Sequence, residues 1–188
     1  MRWDELFEDM EAQLAQAEQR GVETEAAELT RAELSRLSLG ERLAAHRGCE
    51  VRLLPSHGDV ITGELLDVGA GWAVVRERFL QHLVPLPAVL WWEGLPRRFD
   101  VGRQPAVLRR LGMGHALRAL ARARSRVRVL LAQPSARGEI EGTIDAVGQD
   151  FFDVALHPDD EFRRRGAVTA VRTVGFHAVA VVSSTEAG

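Results

Sequence analysis

The chain contains one pattern twice. Gly63-Glu-Leu-Leu-Asp-Val-Gly69-Ala-Gly-Trp72 lies over Gly142-Thr-Ile-Asp-Ala-Val-Gly148-Gln-Asp-Phe151 at a constant offset of 79 residues, with glycine at both ends of a six-residue step and an aromatic three further on. Downstream, Val84-Pro-Leu-Pro-Ala-Val-Leu-Trp-Trp92 lies over Val174-Gly-Phe-His-Ala-Val-Ala-Val-Val182. Upstream, Val51-Arg-Leu-Leu54 lies over Val127-Arg-Val-Leu130. The match extends to Leu34 through Gly40 over Leu108 through Gly114. A period of this length marks a duplicated supersecondary unit, and a chain so built must fold both copies alike. The units run from about 31 to 95 and from about 105 to 184.

Within the first unit, Val51 to Leu54, Val60 to Val68, Trp72 to Arg76, Leu83 to Leu86 and Ala88 to Trp92 are short apolar or β-branched runs punctuated by Pro, Gly, Ser and Asp, which predicts five strands. So small a sheet hides its edges most simply by closing, so each unit is expected to form a small barrel. Gly63 and Gly142 suit a sharply bent strand position without a Cβ, and Gly69 and Gly148 suit a turn with positive φ.

These residues resemble the Sm-like (LSm) small β-barrel family, present twice: Gly-x-Leu-x-x-Val-Gly, an aromatic three later, then an apolar strand pair ending in Ala-Val, preceded by a helix. The resemblance covers most of the chain from about residue 31. The fold expected is mainly β with α: two tandem Sm-like or SH3-like five-stranded barrels, each with a helical lead-in, plus an N-terminal helical hairpin. Sm proteins that bind single-stranded RNA carry an aspartate six residues after the first glycine, an asparagine ten after it and a later basic pair. Here those positions hold Gly69, Ala73 and Pro85-Leu86 in one unit, and Gly148, Phe152 and Gly175-Phe176 in the other. The resemblance implies the fold and withholds the RNA pocket. The layout also looks like a group of actinobacterial proteins sometimes labelled Fis-type transcriptional regulators, although no helix-turn-helix stands at this C-terminus.

The organisation expected is a helical arm over 1–47, barrels over 48–95 and 127–184, an Arg-rich linker and helix over 96–126, and a disordered tail over 185–188. Trp3, Leu6, Phe7, Met10, Leu14 and Ala17 form an apolar stripe at helical spacing, which predicts an amphipathic helix over 3–19. A second helix is expected from about 25 to 37, and Ser38 and Glu41 have the spacing of a capping box. The stripe either packs on the barrels or pairs with another copy.

Charge is uneven along a chain of formal net charge -3. Residues 96–137 hold 11 arginines against Asp100 alone, whereas 1–47 hold 11 acids against 6 arginines. Lysine is absent throughout, so arginine partly stands in for it and the belt says less about phosphate than it would elsewhere. Arg109, Arg110, Arg118, Arg122, Arg124, Arg126 and Arg128 are the candidate nucleic-acid contacts. On a helix from about Gly114, Met113, Leu117 and Leu120 face inward while Arg118 and Arg122 face solvent. The competing reading docks the belt on the chain's own acids.

Trp91-Trp92 and Phe151-Phe152 are candidate stacking or partner residues, because neighbours on a strand point to opposite faces. Six histidines show no metal-ligand spacing, no nucleophile or phosphate-loop motif occurs, and one cysteine, Cys49, permits no intramolecular disulfide. No metal, cofactor or catalytic residue is therefore expected. The longest apolar run, Leu83 to Trp92, is about half of what a membrane helix needs, and a cytoplasmic protein is expected. Two functions stay open: a non-enzymatic nucleic-acid-associated regulator gripping RNA or DNA backbone, and a protein-interaction adaptor.

Overall fold

Alternation along the chain builds the strands. In β1 (Glu50–Pro55), Val51, Leu53 and Pro55 are buried while Glu50 and Arg52 face water, the two-residue period of a half-buried strand. Four more strands follow: β2 (Ile61–Gly69), β3 (Trp72–Glu77), β4 (Leu80–Pro85) and β5 (Val89–Glu93). The second series comprises β6 (Arg126–Leu131), β7 (Glu139–Val147), β8 (Phe151–Leu156), β9 (Ala170–Gly175) and β10 (Val179–Thr185). Two short helices, α1 (Leu39–Ala44) and α2 (Met113–Ala123), stand before β1 and β6. The computed structural model describes residues 35–96, 111–132, 138–158 and 168–185. The chain divides into units 1–38 and 39–188, and the strands and both named helices belong to the second.

The ten strands form one antiparallel sheet in the order β5-β1-β2-β3-β4-β10-β6-β7-β8-β9. Each half is ordered alike, its last strand beside its first. Each long second strand has an irregularity at the same place, between Leu65 and Asp67 in β2 and between Ile144 and Ala146 in β7. Gly63 and Gly142 serve one purpose: a Cβ there would stand 2.1 Å from the carbonyl oxygen of Arg76 and of Ala155, respectively. Only a residue without a side chain lets those strands approach so closely.

The expected pair of separate five-stranded barrels is overturned by the seam between β4 and β10. Leu83 pairs with Val182, His82 with Ser183, Gln81 with Ser184 and Leu80 with Thr185. Closure was expected because a small sheet must satisfy its edges. Here β10 satisfies the edge of β4, and the two halves become one sheet. The apolar cores also trade residues across the seam. Ala180 and Val181 of β10 pack with Leu53, Leu65 and Val75, while Trp72 and Leu83 of the first half pack with Val129, Phe152 and Val154. Burying a valine or leucine side chain contributes about 1.5–3 kcal/mol. Separating the halves would return several of these to water.

The helical expectations are corrected too. Among the described residues, α-helix is confined to Ser35–Arg36, the six-residue α1, which begins directly after Ser38, and α2, short segments in place of the expected helical lead-ins and hairpin. The stripe of residues 3–19, with the self-association proposed for it, and most of the helix expected over 25–37 lie outside the described residues. Among the described residues, no helix is long and apolar enough to cross a membrane.

Candidate functional site

Helix α2 carries the centre of the basic belt. Met113 and Leu117 are buried and Leu120 packs on the second core, so the opposite face is left to Arg118 and Arg122, as the spacing predicts. The helix entrance is tied down by Leu111, whose carbonyl accepts from Trp72 Nε1 at 2.7 Å and from the Ala70 amide at 3.0 Å. Its exit turns through Arg124, in the left-handed region at φ 51, ψ 31.

The belt is partly committed to the protein itself. Arg118 donates to the Gly148 carbonyl at 3.1 Å. Arg126 faces Glu141 at 3.5 Å and donates to the Pro158 carbonyl at 3.4 Å. Arg128 grips Glu139 through Nε and through Nη2, the latter at 2.8 Å, and stands 3.8 Å from Glu141. That grip raises the Arg128 pKa and holds the Glu139 carboxyl below its ordinary range. Glu139 and Glu141, which engage these two arginines, are on the adjacent strand β7. Arg122 and Arg124 are exposed and make no side-chain hydrogen bond or ion pair among the described residues. Arg109 and Arg110, like the belt's Arg97, Arg98, Arg103 and Arg137, lie outside the described residues.

The phenylalanine pair separates as strand geometry requires. Phe152 is fully buried, with its ring centroid 6.2 Å from that of Phe176, whereas Phe151 is partly exposed. The Phe151 ring covers Gly148, where a Cβ would meet it at 2.4 Å, and Trp72 covers Gly69 in the same way at 2.2 Å. The glycine at each of these positions therefore makes room for a ring, and the positive φ expected there is found at Gly71 instead. Trp91 and Trp92 are both half-buried, and Trp92 packs on the first core.

Sequence reasoning missed a polar cluster at the seam. His82 Nδ1 is 2.8 Å from Ser183 Oγ and its Nε2 is 3.5 Å from Glu77 Oε2. Burial pushes the His82 imidazole below its ordinary pKa, with Glu77 opposing and His57 adding to the shift. Both His82 and Ser183 are buried inside paired strands, so their contact braces the seam and offers a substrate no approach. Their separation of 101 positions along the chain explains why no local motif announces the pair.

A groove of about 560 Å³ runs between α2 and the sheet, walled by Ala116, Ala119, Ala123, Trp72 and Leu83, with Asp67 and Gln81 among its polar lining residues. No three His, Cys, Asp or Glu residues gather to hold a metal ion among the described residues.

The two ends of the sheet remain. β5 pairs with β1 and β9 with β8, and no strand is paired to their outer sides among the described residues. Leu90 on β5 is 67% exposed and Val171 on β9 is 54% exposed, although both are apolar residues in strands. The chain matches no known family model and no curated protein sequence.

Proposed function

We propose that this chain is a non-enzymatic, protein-binding adaptor that takes partners by strand addition at the outer sides of β5 and β9. The observation that carries this reading is the pair of edges, unpaired among the described residues, that bear exposed Leu90 and Val171. An unpaired edge offers a row of backbone donors and acceptors, and the alternating side chains beside it supply selectivity. The commitment of Arg118, Arg126 and Arg128 to internal partners weighs against a broad phosphate-binding face.

A nucleic-acid reading retains Arg122 and Arg124. Among the described residues these are the two belt arginines without an internal partner, and each phosphate neutralised would steepen the salt dependence of binding by about one unit of slope. Photo-activatable cross-linkers placed at Leu90, Val171 and Arg122 in the full chain distinguish the readings in native extract. Protein adducts from Leu90 and Val171 support strand addition. Adducts confined to Arg122, containing nucleic acid and lost on raising the salt, would replace it with the phosphate reading.

A further inference from the structure

Neighbouring serines on β10 meet different fates. Ser183 reaches His82 on one face of the sheet. Ser184 points to the other face, where it is 7% exposed and lines the groove beneath α2, and its hydroxyl makes no hydrogen bond among the described residues. A hydroxyl held so deep is under-satisfied unless something entering the groove pairs with it. We infer that this groove binds a small amphiphilic amine, an apolar body with an ammonium group at one end and a hydrogen-bonding hydroxyl at the other.

Strand register builds the site. Val74 of β3 pairs with Leu83 of β4, and Leu83 with Val182 of β10, so these side chains form one apolar row. Asp67 of β2 pairs with Val74 and stands at the end of that row. Gln81 and Ser184, two residues along their strands, pair in the next row on the same face. Ala116, Ala119 and Ala123 recur at helical spacing on the α2 wall, and their small side chains leave the groove its width. Its volume of about 560 Å³ lies within the range of small-ligand sites. The site belongs to the fused sheet, since Val74 and Leu83 come from the first half and Val182 from the second.

Charge selects the ligand. Asp67 is the only ionisable side chain among the lining residues, and no arginine shares the wall with it. Its Oδ1 accepts from the Val68 amide at 2.8 Å and faces Arg47 Nε at 3.6 Å, while its Oδ2 accepts no hydrogen bond among the described residues. A lone carboxylate beside an apolar floor favours a cation and opposes an anion. A ligand that reaches both Asp67 and Ser184 crosses up to three strand spacings of about 4.8 Å each, which calls for an extended body between its polar ends.

Nuclear magnetic resonance titration of the full chain tests this with three probes that share a hydroxyphenylbutyl body and end in an amine, an alcohol or a carboxylate. The amine is expected to move the Trp72 indole N–H and the amides of Ala119 and Ser184, to bind more tightly than the alcohol, and the carboxylate to bind most weakly. Asp67→Asn is expected to weaken the amine by roughly three- to tenfold and to leave the alcohol unchanged. Ser184→Ala is expected to weaken the amine and the alcohol by a similar factor. Ala119→Leu, at an exposed helix position that accepts a leucine, fills the groove and is expected to abolish binding of all three. Equal binding of the three probes would overturn the inference, as would an amine affinity indifferent to Asp67→Asn, or no response up to about ten millimolar amine. A soluble paramagnetic agent supplies the second measurement. Attenuation of Ala119 before any probe is added, relieved by the amine, supports the site, whereas an Ala119 already shielded shows the groove covered by the protein itself and removes the inference.

Discussion

His82 Nδ1 stands 2.8 Å from Ser183 Oγ across the β4–β10 pairing that joins the two halves of the sheet. This buried contact links the state of a single imidazole to the seam. Because burial lowers the pKa of His82 in the folded chain, the unfolded chain binds more protons at mildly acidic pH. The stabilising contribution is fully present above the ordinary histidine value of 6.5 and is lost as pH falls toward the lower folded value. Thermal unfolding at about pH 7.5 and about pH 5.5 should show wild type losing stability on acidification, and His82→Gln losing less. Ser183→Ala leaves the imidazole nitrogen without its partner and should cost about 1–3 kcal/mol at neutral pH.

The glycine pattern predicts a contrast that denaturant unfolding can read. At Gly63 and Gly142 an added methyl would collide with backbone carbonyls at 2.1 Å, which no side-chain rotation relieves. Gly63→Ala and Gly142→Ala are each expected to destabilise by about 1–3 kcal/mol or more. At Gly114 in α2 the nearest atoms lie 3.5 Å from the added carbon, an ordinary contact. Gly114→Ala is therefore expected to be neutral or to stabilise by up to about 1 kcal/mol, through helix propensity.

Shared cores predict shared unfolding. Leu83 belongs to the first half by sequence but packs with Val129, Phe152 and Val154 of the second. Leu83→Ala should cost about 2–5 kcal/mol and move the signals of Trp72, Trp91 and Trp92 together with those of the second half, in a single transition. Two separate transitions, with only one displaced, would contradict this.

The duplication made much of the fold legible before any coordinates. Alternating residues place β1 within a residue of its observed ends, and the glycine-to-aromatic spacing marks where β2 meets β3 and β7 meets β8. What the sequence concealed is long-range pairing. Period and punctuation describe a strand's faces but not its neighbour, so nothing local in Leu80–Pro85 names Val179–Thr185 as its partner. The same gap hid the brace between His82 and Ser183. The belt was visible as composition, but its commitment to Glu139 and Glu141 depends on β6 and β7 lying side by side, which only the fold supplies.

The continuity of the sheet decides both how the halves are joined and which strands end it among the described residues. Cross-strand nuclear Overhauser effects between the backbones of Leu83 and Val182 and of Gln81 and Ser184 test it most directly, because antiparallel partners place their Cα atoms about 4.5–5.5 Å apart. The account predicts these contacts, with residues 50–93 and 126–185 sharing one rotational correlation time. Absence of the contacts, with two correlation times, would show two independent bodies and contradict it.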